Sequence, residues 1–234
     1  MMIMPGKYFK LFILFSFALL PFLLFAGSQA VASTSVSGTI ATDTIWTVAN
    51  SPYIVTSNIA VLGTDGADSI TTLTIEPGVE VRFNQSTSLT VGASSGSPGA
   101  LVAQGMAGSP ILFTSNKTTP ASGDWYGITF QNTADDASSI LEYCTIDYAG
   151  ASSGAIYLNS ASPRIFNSII NNSKSYGAYA SNSSPQIAGS IISNSYTYGL
   201  YFSGGAPVIT GNTFVNSGSY DIYFANPTGG SITG

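Results

Sequence analysis

Residues 162–172 read SPRIFNSIINN, and the same arrangement returns as SPQIAGSIISN in residues 184–194 and as APVITGNTFVN in residues 206–216. The prolines of the three stretches lie 22 residues apart, with no insertion between them. A repeat of constant length, about 20 to 50 residues, is typical of a solenoid in which each repeat forms one coil. The repeat therefore predicts the fold before it says anything about function.

Several columns of similar residues keep this spacing from residue 155 onward. Their members are Tyr157, Tyr179, Tyr201 and Tyr223; Tyr176, Tyr198 and Tyr220; Ile165, Ile187 and Ile209; Ile169, Ile191 and Thr213; Ile170, Ile192 and Phe214; and Asn172, Asn194 and Asn216. Short apolar pieces alternate with Gly, Asn, Ser and Pro, which is typical of strands joined by turns. We expect three short strands per coil, with Ile165, Ile169 and Ile170 in the core.

The earlier half of the chain follows the same plan with longer loops. Residues 140–150 align with residues 164–174, so Cys144 is expected to face the position of Ser168. Phe130 precedes Tyr157 by 27 residues and is taken to lie one coil before it. Further strand-like pieces occur in residues 73–83, 88–91, 100–105, 110–116 and 124–130.

The first 32 residues are predicted to be a signal peptide. Lys7 and Lys10 precede an apolar run in residues 11–26, and Ala30 and Ala32 give a small-x-small cleavage pattern. The alternative is an uncleaved membrane anchor, but the run is shorter than the roughly 20 residues that a spanning helix needs. We therefore expect a secreted or cell-surface protein with no membrane contact after cleavage.

The remaining chain is predicted to form an N-terminal β-rich cap or first coil in residues 33–72 and a parallel β-helix in residues 73–234. The expected size is six to seven coils of about 22–27 residues each. By register, the coil that begins at Asp221 would continue to about residue 242, beyond the last residue, Gly234. This predicts that the chain is a fragment of a longer protein or that its end pairs with another chain.

Charge is sparse outside the signal peptide and excludes one class of partner. Residues 33–234 contain eleven acidic residues and four basic ones, Arg82, Lys117, Arg164 and Lys174. Nucleic acid binding needs clustered Lys and Arg, which this sequence lacks. The abundance of Ser, Thr, Asn and Gly suits an uncharged, hydrogen-bonding surface that faces water and sugars.

Four motifs resemble the secreted bacterial and archaeal proteins with right-handed parallel β-helix repeats, of the pectate-lyase-like superfold. They are LTIEPGVEVRF (73–83), SPILFTSNKTTPASGDWYGITF (109–130), LEYCTIDYAG (141–150) and GLYFSGGAPVITGNTFVN (199–216). The resemblance implies a right-handed helix, in agreement with the general handedness of parallel crossovers. The group includes sugar-polymer lyases and hydrolases, surface adhesins and proteins without known activity, so it specifies fold more sharply than function.

The resemblance to lyases and hydrolases implies stacked acidic residues near a basic residue or a His, and the columns do not provide them. The chain contains no His, and only Glu142 and Asp147 share a coil. Their columns continue with uncharged residues, and the column of Arg164 continues as Gln186 and Val208. Cys144, the single cysteine, is expected to pack as a small apolar residue.

Asp135 and Asp136 are the only metal candidates that the sequence offers. Oxygen ligands bind Ca²⁺, but two adjacent acids in a loop are more often a solvated turn. We therefore expect no cofactor, with weak Ca²⁺ binding as the one exception. The column of Asn172, Asn194 and Asn216 is expected to form a structural ladder of side-chain amides along a turn.

The tyrosine columns are the clearest functional signal. If their apolar neighbours point inward, the phenols point outward and stack along one face, and such faces bind sugar rings. The hypothesis is that Tyr157, Tyr179, Tyr201, Tyr223, Tyr176, Tyr198 and Tyr220 bind carbohydrate. The alternative is that they only protect the outer strand face through cross-strand packing.

The sequence thus favours a non-catalytic secreted or cell-surface module. Its expected role is to bind extracellular or cell-wall polysaccharide, or other surface proteins, or to display a rigid adhesive surface. The alternative function is a lyase or glycoside hydrolase domain that acts on an acidic polysaccharide.

Overall fold

The computed structural model describes residues 32–234, and the only helical element in that range is a short 3-10 helix at Val48–Asn50. The predicted signal peptide lies outside the described residues, apart from Ala32. No helix in residues 32–234 has the length and apolar character needed to cross a membrane. Everything else in this range is short strand, turn or loop.

Parallel strands wind into successive coils. The first two coils contain β1 (Thr34–Ile40), β2 (Thr44–Trp46), β3 (Tyr53–Val61) and β4 (Thr71–Ile75). The next three contain β5 (Glu80–Phe83), β6 (Ser88–Val91), β7 (Gly99–Gln104), β8 (Ile111–Ser115), β9 (Gly127–Phe130), β10 (Ile140–Glu142), β11 (Cys144–Asp147), β12 (Ile156–Asn159) and β13 (Arg164–Phe166). The last three contain β14 (Ile169–Asn171), β15 (Ala178–Ser181), β16 (Gln186–Ala188), β17 (Ile191–Ser193), β18 (Leu200–Ser203), β19 (Val208–Thr210), β20 (Thr213–Val215), β21 (Ile222–Ala225) and β22 (Ser231–Thr233).

The strands stack into three sheets that run the length of the solenoid. The first sheet contains β5, β8, β11, β14, β17 and β20, and the second contains β6, β9, β12, β15, β18 and β21. The third contains β2, β4, β7, β10, β13, β16, β19 and β22. Strand β3 starts both of the first two sheets, because residues 53–55 pair with β5 and residues 59–61 pair with β6.

The third sheet has eight strands, one per coil, so residues 32–234 form eight coils where the sequence predicted six to seven. The additional coil arises because residues 34–75 form two coils, in which β1 pairs in parallel with β3 and β2 with β4. Early coils are also longer than predicted: Leu101 and Ser139, one coil apart, are 38 residues apart in sequence. Their extra residues form loops outside the sheets.

The predicted columns after residue 155 are confirmed by the strand register. Ile165 pairs with Ile187, which pairs with Ile209, and all three side chains are buried. The alignment of residues 140–150 is also confirmed, since the amide of Cys144 donates to the Ser168 hydroxyl over 3.1 Å. Each buried Ile contributes roughly 1.5–3 kcal/mol to the stability of the fold.

Two details of the predicted columns are wrong. Ile169 is 39% exposed, although the sequence placed it in the core, because side chains alternate along a strand and the next residue, Ile170, points inward. Phe130 does not precede Tyr157 in its column: it pairs with Leu158 and is buried, while Thr129 pairs with Tyr157. The loop before β12 makes that coil 28 residues long, one more than the spacing assumed from the sequence.

The early coils have a larger aromatic core than the later ones. Phe83 and Trp125 are fully buried and stack with ring centroids 3.8 Å apart. The indole Nε1 of Trp125 donates to the carbonyl of Asp147 over 2.9 Å, which satisfies its buried polar atom. In the later coils, small residues such as Ala180 lie between larger ones such as Leu158 and Phe202 in the same column.

Candidate functional site

Four tyrosines project from the outer face of the second sheet, one from each of the strands β12, β15, β18 and β21. The residues on either side of Tyr179 are almost fully buried, so its ring points outward. The register pairs Tyr157 with Tyr179, Tyr179 with Tyr201, and Tyr201 with Tyr223. Neighbouring ring centroids lie 5.1, 5.1 and 5.4 Å apart. The four rings form a continuous row along the solenoid axis.

A second row of tyrosines, Tyr176, Tyr198 and Tyr220, lies in the turns before β15, β18 and β21. The ring of Tyr176 stacks on Tyr198 at 5.7 Å, and Tyr198 stacks on Tyr220 at 5.9 Å. The rows also touch each other, since the ring of Tyr176 lies 5.5 Å from Tyr179 and 5.1 Å from Tyr201. We refer to these seven residues as the tyrosine strip.

A polar column borders the tyrosine strip on its other side. Asn159 pairs with Ser181, and Ser181 pairs with Ser203, two positions after each tyrosine of the first row. One coil earlier, the Oε1 atom of Gln131 accepts a hydrogen bond from Nδ2 of Asn159 over 2.9 Å. Aromatic faces beside hydroxyl and amide groups offer both stacking and hydrogen bonding to the same ligand.

The phenols of the strip stay protonated well above neutral pH. Partial burial, together with the neighbouring phenols, raises the pKa of Tyr157, Tyr176 and Tyr201. Exposure increases towards the last coil, where Tyr220 is 60% exposed. The outward positions of β12, β15, β18 and β21 are occupied by Tyr, Asn, Ser and Ala, so this face is uncharged.

A depression of about 310 Å³ lies at the end of the row, beside Tyr157. Thr90, Thr129, Gln131 and Tyr126 contribute to its lining. The sequence interpretation missed it because the column was traced through Phe130. Correct alignment of Thr129 with Tyr157 would have revealed that the tyrosine column changes to threonine at this coil.

The predicted asparagine ladder is only partly formed. Asn172, Asn194 and Asn216 occupy left-handed turns with φ of 50°, 51° and 54°, a conformation that Asn tolerates well. Nδ2 of Asn216 donates to Oδ1 of Asn194 over 3.0 Å. In contrast, Asn194 donates to Asn171 and Asn172 donates to Asp147, each over 2.9 Å. The amides therefore link two adjacent columns and do not form one continuous ladder.

Asp135 and Asp136 both accept hydrogen bonds from backbone amides. Asp135 accepts from Ser138 over 2.7 Å, and Asp136 accepts from Ser162 in the next coil. Partial burial raises the pKa of Asp136. Within residues 32–234, no group of three or more His, Cys, Asp or Glu side chains is arranged to hold a metal ion.

The other chemically reactive side chains lie apart from the strip. Glu142 pairs with Phe166 and Asp147 with Asn171, as predicted, so neither column stacks carboxylates. Cys144 is buried, and burial raises the pKa of its thiol to about 12. Arg164 pairs with Gln186 on the third sheet and donates to the carbonyl of Ala137 over 2.8 Å.

Two ion pairs on the first sheet were missed by the sequence interpretation. The guanidinium of Arg82 donates two hydrogen bonds to Glu80, over 2.8 and 2.9 Å, and Lys117 lies 2.6 Å from Asp124. Glu80 and Arg82 share a strand face at a spacing of two residues, which is the signal in EVRF that could have revealed the first pair. Asp124 also accepts from Ser115 and Ala121, so this carboxylate anchors the loop that precedes Trp125.

The comparison with known families agrees with this architecture. The family described as right handed beta helix region matches residues 78–234, which is more than half of the chain. The chain therefore belongs to the right-handed parallel β-helix proteins, and its three sheets form a right-handed solenoid. No curated protein and no solved structure matches the chain at a significant level.

Proposed function

We propose that this chain is a secreted or cell-surface β-helix module that binds polysaccharide through the tyrosine strip and does not catalyse a reaction. The observation on which this rests is the contact between two rows of stacked phenols on one uncharged sheet face. Such a surface is rigid, so a ligand that stacks on it orders few side chains on binding.

The geometry favours an extended ligand. The strip follows the solenoid axis over four coils, and the polar column of Asn159, Ser181 and Ser203 runs beside it. A linear sugar chain presents apolar ring faces and hydroxyl edges along its length, and the two columns complement these in parallel.

The proposal of a non-catalytic role rests on the surroundings of the strip. Glycoside hydrolysis uses two carboxyl groups that flank the bond to be cleaved. The acidic residues with identified partners, such as Glu80 and Asp124, lie on the first sheet and are paired with bases. The proposed secretion rests on the signal peptide pattern in residues 1–32.

Retention of the chain on polysaccharides tests the proposal. The probes are soluble cellulose, xylan, mannan and pectate, each cast into a native gel, and the variant is Tyr179→Ala with Tyr201→Ala. We expect the chain to be retarded by at least one polysaccharide and the variant to migrate freely, with an unchanged circular dichroism spectrum. Equal retardation of a folded variant would contradict the proposal. Release of ultraviolet-absorbing product from pectate would instead support the lyase alternative.

A further inference from the structure

Resting on the proposed function, we infer that the depression beside Tyr157 is a subsite for one sugar unit of a neutral glycan chain that lies along the tyrosine strip. It extends the strip without a break, since Tyr157 is both the first ring of the row and part of the lining.

The depression exists because one column changes residue type. Thr90 pairs with Thr129, and Thr129 pairs with Tyr157, so the two coils before the row have a small side chain where later coils have a phenol. The surface therefore falls by about the size of an aromatic ring at this point. Tyr126, which is 40% exposed, contributes to the same lining. A volume of about 310 Å³ is enough for one sugar ring, and is at the lower end of the range for small-molecule sites.

The lining changes the kind of contact that a ligand would make. Along the strip a sugar unit meets aromatic faces, but in the depression it meets the hydroxyls of Thr90, Thr129 and Ser152 and the amide of Gln131. The amide oxygen of Gln131 accepts from Asn159, which fixes the side chain and directs its nitrogen as a donor. Fixed hydrogen-bonding groups select ligands more strongly than stacking does, because a mismatched ligand leaves polar groups unpaired.

Charge decides which sugar fits. All the lining residues, which are Ser88, Thr90, Tyr126, Thr129, Gln131, Ser152, Ser153, Gly154 and Tyr157, are uncharged. A uronic acid unit would place its carboxylate here without a cation to pair with, at the cost of its hydration. The subsite therefore takes a neutral unit and disfavours an acidic one.

Two substitutions at Thr129 test the inference without removing any part of the strip. Thr129→Tyr adds a fifth phenol to the column and fills the depression, whereas Thr129→Val keeps the shape and removes the hydroxyl. The matched control is Thr145→Tyr, an outward threonine on the first sheet. The probes are cellohexaose, xylohexaose, mannohexaose and hexagalacturonic acid, with affinity measured by calorimetry and folding checked by thermal melting.

We expect a neutral hexasaccharide to bind the chain, with affinity reduced about tenfold by Thr129→Tyr, several-fold by Thr129→Val, and not at all by Thr145→Tyr. Equal or tighter binding of the folded Thr129→Tyr variant would overturn the inference, because an unused depression makes the added phenol an extension of the platform. If Thr129→Tyr does not fold, unchanged affinity of Thr129→Val overturns it. Preference for hexagalacturonic acid also overturns it but leaves the proposed function intact. Absence of binding to every probe would overturn both.

Discussion

From residue 155 onward, hydrogen-bonded neighbours in successive coils lie 22 residues apart, as Ala161 and Ser183 do, whereas earlier coils are as much as 38 residues long. In the later coils each position stacks on its own kind, so one outward tyrosine per coil becomes a row of four. In the earlier coils, individual side chains such as Trp125 and Asp124 attach loops of different lengths to the core.

The difference shows how one architecture separates two tasks. Exact repetition multiplies a surface residue into a continuous binding surface, but it leaves no loop that could bind a ligand by itself. Irregular coils provide loops, each of which needs its own buried anchor. The following four substitutions test that separation, in order of decreasing expected effect.

Trp125→Ala is expected to be the most damaging change in the irregular coils. It removes a fully buried indole, its stacking on Phe83 and its hydrogen bond to Asp147. The expected loss of unfolding free energy is about 3–5 kcal/mol, measured by urea denaturation. The neighbouring Tyr126→Ala is the control and should change stability by less than about 0.5 kcal/mol. A similar small loss for both variants would show that the aromatic stack is not an anchor.

Asp124→Asn is expected to cost about 1–3 kcal/mol at neutral pH, because it removes the charge that Lys117 and two further donors stabilise. Burial opposes ionisation of Asp124, but its hydrogen bonds to Lys117, Ala121 and Ser115 outweigh burial and lower the pKa. The folded chain thus holds this proton less tightly than the unfolded chain does. The stabilisation is present above the usual carboxyl pKa and is lost as the pH falls through the lowered value.

Urea denaturation at neutral pH and again below about pH 4 measures this dependence. The difference in unfolding free energy between the original chain and the Asp124→Asn variant should shrink at the lower pH. A difference that stays constant between the two conditions would show that the ionised carboxylate does not anchor the loop.

Asn194→Ala tests a turn of the regular coils. The residue has φ of 51°, which alanine adopts at a cost of about 1–2 kcal/mol, and its amide contacts Asn171 and Asn216. Asn194→Gly loses the same amide but tolerates the backbone, so it should be the more stable of the two variants in thermal melting. Equal destabilisation by both would assign the role of Asn194 to its side-chain contacts alone.

Ile191→Ala is expected to have the smallest effect, below about 1 kcal/mol, because this side chain is 41% exposed. Its neighbour Ile192 is fully buried, and Ile192→Ala should cost about 2–5 kcal/mol in the same denaturation experiment. The reverse order would mean that the strand alternation in β17 is opposite to that described.

Sequence reasoning was most accurate where the repeat is constant. The 22-residue columns predicted the strand register of Tyr179 and Ile187, since an unbroken spacing leaves only one alignment. It was wrong for Ile169, because two consecutive isoleucines look equally apolar although only one can face inward. It was wrong for Phe130 because the loop before β12 changes the coil length, and a spacing alone does not locate an inserted residue.

The candidate site followed the same rule. The seven tyrosines were found as columns, but the depression beside Tyr157 was not, since it depends on the alignment of Thr129 across an irregular coil. The pair of Lys117 and Asp124 was also missed, because a loop conformation brings these residues together and no repeat records it.

The central claim is that the stacked tyrosines bind polysaccharide, and one comparison of dissociation constants tests it most directly. The variant is Tyr179→Ala with Tyr201→Ala, and the matched control is Ile169→Ala with Ile191→Ala, two exposed apolar residues of the same two coils on the first sheet. For the polysaccharide that retards the chain most strongly, we predict binding at least tenfold weaker for the tyrosine variant and unchanged for the control. Equal dissociation constants for both folded variants would contradict the account.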